Sequence, residues 1–155
     1  MALPSLTHNG YLPSGIHECR LNDVELTFAT NPYRAKLWKG LREFVDWAGS
    51  LKKFDWLYLD GGFITDKSEP SDIDVVLQPR APYGVAALES MMPFFEYGLD
   101  KVLDNYSIHL HFWCEGFPGG ALDFRLFFQY LRPQDAAPRG LPLGATKGII
   151  KIRIA

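Results

Sequence analysis

The stretch from residue 54 to residue 78 restricts the possible folds more than any other. It contains Leu57-Tyr58-Leu59-Asp60-Gly61-Gly62-Phe63-Ile64-Thr65 and then Ser71-Asp72-Ile73-Asp74-Val75-Val76-Leu77. Residues 54–60 are rich in aromatic and β-compatible side chains and predict a strand. Gly61-Gly62 follows at once. Residues 65–71 are polar and include Pro70, which predicts an exposed loop. Residues 72–78 predict a second strand with Val75, Val76 and Leu77 as its buried run, closed by Pro79 and Pro82. Two strands joined in this way are expected to be neighbours in one sheet.

The second strand opens with Asp-Ile-Asp. Residues i and i+2 of a strand point to the same face, so Asp72 and Asp74 are expected to present two carboxylates side by side. Such a pair is unfavourable unless a cation or a proton neutralises it. Mg²⁺ takes hard oxygen ligands and leaves positions for substrate phosphates. A glycine pair lets backbone approach a phosphate without Cβ obstruction. These parts suit phosphoryl or nucleotidyl transfer. Asp60, just before the glycines, is expected to hydrogen-bond the turn and not to bind metal.

The remainder of the chain supplies the expected frame. Residues 1–16 hold Pro4, Gly10, Pro13 and Gly15 and read as an irregular arm. Residues 22–28 predict a short helix capped by Asn22. Asn31-Pro32 opens a longer helix over 32–49, because Asn caps well and Pro suits the first turn. Its apolar face is Leu37, Trp38, Leu41, Phe44, Val45 and Ala48, at helical spacing. Arg34, Lys36, Lys39, Arg42 and Lys52 make the region basic, which reads as a solvated face or as one turned to phosphate or a partner. Residues 84–104 predict a helix broken near Pro93. Residues 106–113 alternate as a third strand, with His109 and His111 on one side. Gly116, Pro118, Gly119 and Gly120 mark a flexible loop, 122–131 fits helix or strand, and 148–154 alternates as a terminal strand. Ile150, Ile152 and Ile154 are expected on one side of it, with Lys151 and Arg153 on the other.

On Gly61, Gly62, Asp72 and Asp74 the chain resembles the nucleotidyltransferase superfamily, with its DNA polymerase beta-like fold. There a glycine and a second small residue precede an Asp-x-Asp or Asp-x-Glu pair that binds divalent metal. The further motifs Leu12-Pro13-Ser14-Gly15-Ile16-His17, Thr30-Asn31-Pro32, Phe127-Phe128-Gln129 and Lys147-Gly148-Ile149-Ile150 are similar to those of a small, uncharacterised bacterial and phage family of nucleotidyltransferase-like proteins. The resemblance spans nearly the whole chain. It implies a single α/β (α+β) domain over 1–155, with a small mixed sheet flanked by helices. It implies Mg²⁺ or Mn²⁺ on Asp72 and Asp74, and a nucleoside triphosphate held near Gly61, Gly62, Thr65, Lys67 and Ser71. Lys67 reads equally as a solvated loop lysine.

Two positions depart from that pattern. Gly62 stands where many active members have Ser. The third carboxylate, expected on a later strand, is replaced by the His109 and His111 pair. Asp123 is the remaining acidic candidate. His109 thus enters the catalytic set with Asp72 and Asp74, since neutral imidazole accepts a proton or binds a softer metal. Read without the resemblance, His109-x-His111 is either a two-His ligand pair or ordinary strand polarity, and no Cys-His cluster completes a zinc site.

Two functions follow as expectations. One is an enzyme that moves a nucleotide to a hydroxyl on RNA, protein or a small molecule. The other is a degenerate module that binds nucleotide, RNA or protein, such as an antitoxin or a phage–host conflict component. The chain's 155 residues fit one domain, and 47% hydrophobic with 22% charged residues excludes a largely disordered chain. Its net charge of −2 gives no overall basic excess for a free-standing nucleic-acid binder, although a local patch can sit inside that total. Cys19 and Cys114 read as buried thiols of a reducing compartment. With neither a membrane-length apolar run nor a signal-like start, the expected location is cytoplasmic, away from membranes.

Overall fold

The computed structural model describes residues 3–80, 84–116 and 122–154. Pro82 and the loop residues Pro118, Gly119 and Gly120 lie outside them. The chain runs β1 (Gly15–Glu18), α1 (Leu21–Phe28), α2 (Pro32–Ser50), β2 (Phe54–Asp60), β3 (Ile73–Pro79), α3 (Val85–Tyr97), α4 (Leu99–Tyr106), β4 (Ile108–Phe112), α5 (Phe124–Phe127), α6 (Pro133–Ala136) and β5 (Gly148–Arg153). A single turn of 3₁₀ helix, Gly62–Ile64, follows β2. The strands form one five-stranded mixed sheet in the order β1-β5-β2-β3-β4. β2 is antiparallel to both β3 and β5, while β1 runs parallel to β5 and β4 parallel to β3. The fold is thus an α/β one with a mixed sheet flanked by helices, as expected.

Strand alternation gives the sheet two unlike faces. Leu57, Leu59, Val75, Leu77, Ile150 and Ile152 point into the main core beneath the long helices. The other face carries Tyr58, Val76 and Ile149 under Trp56, Trp113, Phe124 and Phe128. Asp60 and Asp74 are register partners on this second face, and His109 is the partner of Asp74 on the next strand. One row across the sheet therefore reads Asp60, Asp74, His109.

α2 is built as its sequence predicts. The Asn31 side chain accepts a hydrogen bond from the Arg34 amide at 2.8 Å, and Pro32 opens the first turn. Leu37, Leu41, Phe44 and Ala48 are buried against the sheet. Each large apolar side chain there contributes roughly 1.5–3 kcal/mol. The Phe44 ring lies 5.6 Å from that of Phe94 on α3.

Three expectations are corrected and one open choice is settled. The cap of α1 is the Arg20 backbone, whose amide donates to the Asp23 carboxylate at 2.9 Å, and not Asn22. Asp23 reaches back three residues and so starts the helix earlier. The second helical region breaks at Gly98, not at Pro93. Pro93 forfeits one hydrogen bond, but Phe94 is locked among Phe44, Phe54 and Phe112, which holds the helix through it. Gly98 adopts φ +104, a conformation glycine allows cheaply, and the chain turns there. The N-terminal arm ends at residue 14, because Gly15–Glu18 joins the sheet beside β5. That pairing is non-local, and four residues carry little periodicity of their own. Finally, the open choice at 122–131 resolves as the short helix α5 at Phe124–Phe127.

Candidate functional site

Asp74 sits at the start of β3 on the second face, with Asp72 just ahead of the ladder. Asp72, Asp74 and His109 each offer a ligand atom, and these atoms all lie within 4.8 Å of one another. His109 Nδ1 is 3.6 Å from Asp74 Oδ1, and His111 Nε2 is 4.0 Å from the same oxygen. The group lies at one end of the sheet, beside the Gly61-Gly62 turn. The His109 and His111 rings share this face, with centroids 6.4 Å apart.

Electrostatics explain why the group calls for a counter-charge. Asp74 is raised to about 6, first by burial, then by the negative charges of Asp60 and Asp72. His109 and Lys147 offset this only in part. His111 is held below the usual imidazole range by burial and then by His109. Two carboxylates and an imidazole are a donor set that a hard or borderline divalent cation satisfies, and Mn²⁺ accepts the imidazole better than Mg²⁺ does. The residues present thus fit a divalent ion.

The turn is shaped around the same carboxylate. Gly61 adopts φ +96, and a Cβ there would stand 3.1 Å from Asp74 Oδ2. A side chain at 61 would meet both backbone strain and the Asp74 carboxylate. The Gly62 carbonyl accepts from the Thr65 amide at 3.2 Å and from the Thr65 hydroxyl at 2.7 Å. Thr65, expected to touch nucleotide, is buried with its hydroxyl turned into this bend. A Cβ on Gly62 would come within 3.0 Å of Lys67 Cδ, so the exposed Lys67 lies over the turn. Ser71 is exposed immediately before Asp72.

Sequence reasoning missed three cations. Arg34, assigned to a basic solvated or ligand-facing surface, is only 4% exposed. Its guanidinium donates to the carbonyls of Phe28, Gly62, Phe63, Thr65 and Lys67, and so gathers the whole turn onto α2. Lys147 is buried and pairs with the buried Asp60 carboxylate. Asp60 thus takes an ammonium partner, not the expected hydrogen bond to the turn. No local pattern signals a pair 87 residues apart. Arg132, held by Asp135 at 2.8 Å, also feels the fields of Asp74 and Asp60. Asp123 caps α5 through the Arg125 amide and pairs with the Arg125 side chain at 2.9 Å, which leaves it out of the ligand group.

Fold and site together define a mixed-sheet α/β protein with two aspartates and a histidine at one strand end. The chain belongs to the family of unknown function DUF6932, whose model it matches over residues 4–153. No curated protein and no solved structure matches it. Cys19 and Cys114 are free, buried thiols. Among the described residues no helix is long and apolar enough to cross a membrane.

Proposed function

We propose that the protein is a metal-dependent nucleotidyltransferase that moves a nucleotide from a nucleoside triphosphate to a hydroxyl group on RNA, protein or a small molecule. The observation that supports this most is the meeting of Asp72, Asp74 and His109 within 4.8 Å, beside a turn with glycine at 61 and 62. A Mg²⁺ or Mn²⁺ ion on the two aspartates would supply the positive charge that triphosphate oxygens need there.

The chain's own groups have distinct tasks in this reading. Gly61 and Gly62 let backbone approach the phosphates, with Lys67 lying over the turn and Ser71 exposed beside Asp72. The acceptor oxygen forms a bond to the α-phosphorus, the bond to the β-phosphate oxygen breaks, and pyrophosphate leaves. His109 faces Asp74 through Nδ1, which leaves Nε2 to take the proton of the attacking hydroxyl. Arg34 acts at a distance by fixing the turn.

The test is incubation with labelled nucleoside triphosphates, Mg²⁺ or Mn²⁺, and total RNA or lysate. Label transfer by the wild type and none by the Asp72→Ala, Asp74→Ala double variant is the expected result.

A second reading has its own support. No third carboxylate joins the ligand group among the described residues, and Asp60, the nearest acid in the row, is neutralised by Lys147. That favours a degenerate fold that binds nucleotide, RNA or protein without transfer, as an antitoxin or a phage–host conflict component would. Calorimetry separates the two: metal-dependent nucleotide binding with no transfer to any acceptor identifies the module.

A further inference from the structure

Residues 124–132 cross the sheet face that carries the aspartates. Phe124 and Phe128 turn inwards, over Tyr58 and Val76. Their rings lie 4.4 and 5.2 Å from the His111 ring. Val76 and His111 are register partners, one row behind Asp74 and His109 on the same face. His111 Nε2 is itself 4.0 Å from the Asp74 carboxylate. The segment is therefore seated directly against the group formed by Asp72, Asp74 and His109.

The same segment turns other rings outwards. Phe127 is 50% exposed, with its ring centroid 5.9 Å from that of Phe128. A line of rings thus runs from His109 through His111 and Phe128 to the surface at Phe127. Tyr130 is 56% exposed and follows one turn later, its amide donating to the Phe127 carbonyl at 3.1 Å. Its bridge to Thr146 fixes it beside Lys147, whose ammonium sits on Asp60 in the Asp74 row. Arg132 comes next but one, held by Asp135 and within the field of Asp74. Leu126, also exposed, widens the apolar surface.

Place decides what these rings can hold. The glycine turn lies past the end of β2, the segment lies over the row behind, and the aspartate group sits between the two. A nucleoside triphosphate carries its terminal phosphates and its base at opposite ends. With the phosphates at the turn and on a metal held by Asp72 and Asp74, the base comes to lie on the segment side. The open rings there are Phe127 and Tyr130. Aromatic side chains hold a base by stacking on its π-face, whichever base it is. We propose that Phe127 and Tyr130 form a base-binding subsite, on which the nucleobase of the nucleoside triphosphate stacks. This rests on the reading of Asp72, Asp74 and His109 as a triphosphate site, and it adds the part of the ligand that those residues do not touch.

Titration calorimetry of the full chain with Mn²⁺ in excess tests it. The probes are ATP, GTP and ribose 5-triphosphate, which keeps the sugar and phosphates but has no base. The wild type should bind ATP and GTP about tenfold more tightly than ribose 5-triphosphate, as stacking of one base on aromatic side chains allows. The Phe127→Ala, Tyr130→Ala double variant should lose that preference and keep its affinity for ribose 5-triphosphate. Its melting temperature should match that of the wild type, since both side chains are exposed. Phe127→Trp, which keeps an aromatic face, should keep the preference. A wild type that binds ribose 5-triphosphate as tightly as ATP overturns the base subsite and leaves the metal and phosphate reading standing. A double variant that still prefers ATP also overturns it, and hands the rings to a protein partner. A double variant that loses ATP and ribose 5-triphosphate alike overturns it equally. A wild type that binds none of the three removes the triphosphate site, and the subsite with it.

Discussion

Asp74 bears the largest tension in the site, and that tension can be read through pH. Its carboxyl is raised from 3.8 to about 6 by burial and by two neighbouring carboxylates. A raised acid holds its proton more tightly folded than unfolded, so the penalty is absent below about pH 4. It grows as pH rises towards 6 and is complete above that. Asp74→Asn should therefore stabilise the protein at pH 7.5 by on the order of 2–3 kcal/mol and do almost nothing at pH 4. Urea unfolding at the two pH values checks this, and a variant less stable at pH 7.5 would mean that Asp74 is favourably paired there. A divalent ion relieves the same repulsion. Mn²⁺ should bind more tightly than Mg²⁺, more tightly at pH 7.5 than at pH 5, and more tightly with ATP or GTP present than without. Titration calorimetry on the wild type and on the Asp72→Ala, Asp74→Ala variant should show this binding lost in the variant. The two aspartates were legible in the sequence because the Asp-x-Asp spacing at a strand start is local, with Asp74 on β3 and Asp72 just ahead of it. The neutralisation of Asp60 was not, because Lys147 arrives from the far end of the chain.

Helix α2 and the turn after β2 behave as one unit, and Arg34 is the joint between them. Its sequence neighbours are exposed lysines and arginines, so composition predicted one more surface cation. What separates it is position: third in a helix capped by Asn31, it lies on the side that faces the turn. Removing it takes the guanidinium from five carbonyls, of which that of Gly62 keeps the Thr65 amide and hydroxyl. Arg34→Ala should cost about 3 kcal/mol or more in denaturant unfolding. Arg34→Lys should recover only part of that, since an ammonium cannot span the same carbonyls. Amides of residues 61–67 should exchange faster in both variants. Unchanged stability of Arg34→Ala would show that the turn is held by Thr65 and the β2–β3 ladder alone. The apolar stripe of α2 was legible for the opposite reason, since Leu41 and Phe44 follow a local period that any reader of the chain can find. Substituting Leu41 by Asp should leave the protein insoluble, as judged by soluble yield.

At the scale of the whole molecule, β5 lies between β1 and β2 although it comes last of the strands. The alternation of residues 148–154 announced a strand, but nothing in it announced an interior position. Strand order depends on contacts far apart in sequence, and those leave no local trace. A chain ended after residue 147 should fail to fold: β1 would lose its neighbour, and Ile150 and Ile152 would leave the core open. Circular dichroism of that truncated chain should show a loss of cooperative unfolding. A native-like melt would mean that β2, β3 and β4 with their helices stand alone.

That interior position sets a clock during translation. A ribosome makes residues 15–18 and 54–60 long before residues 148–153, so β1 waits unpaired and β2 keeps a bare edge until those residues emerge. Lys147 emerges in the same late window, and with it the charge that neutralises Asp60. An arrested nascent chain would already carry Asp72, Asp74 and His109, yet lack the strand that aligns the sheet and the cation that settles its acids. The site is therefore assembled in one late step, and partial chains are expected to be silent and sticky, not partly active.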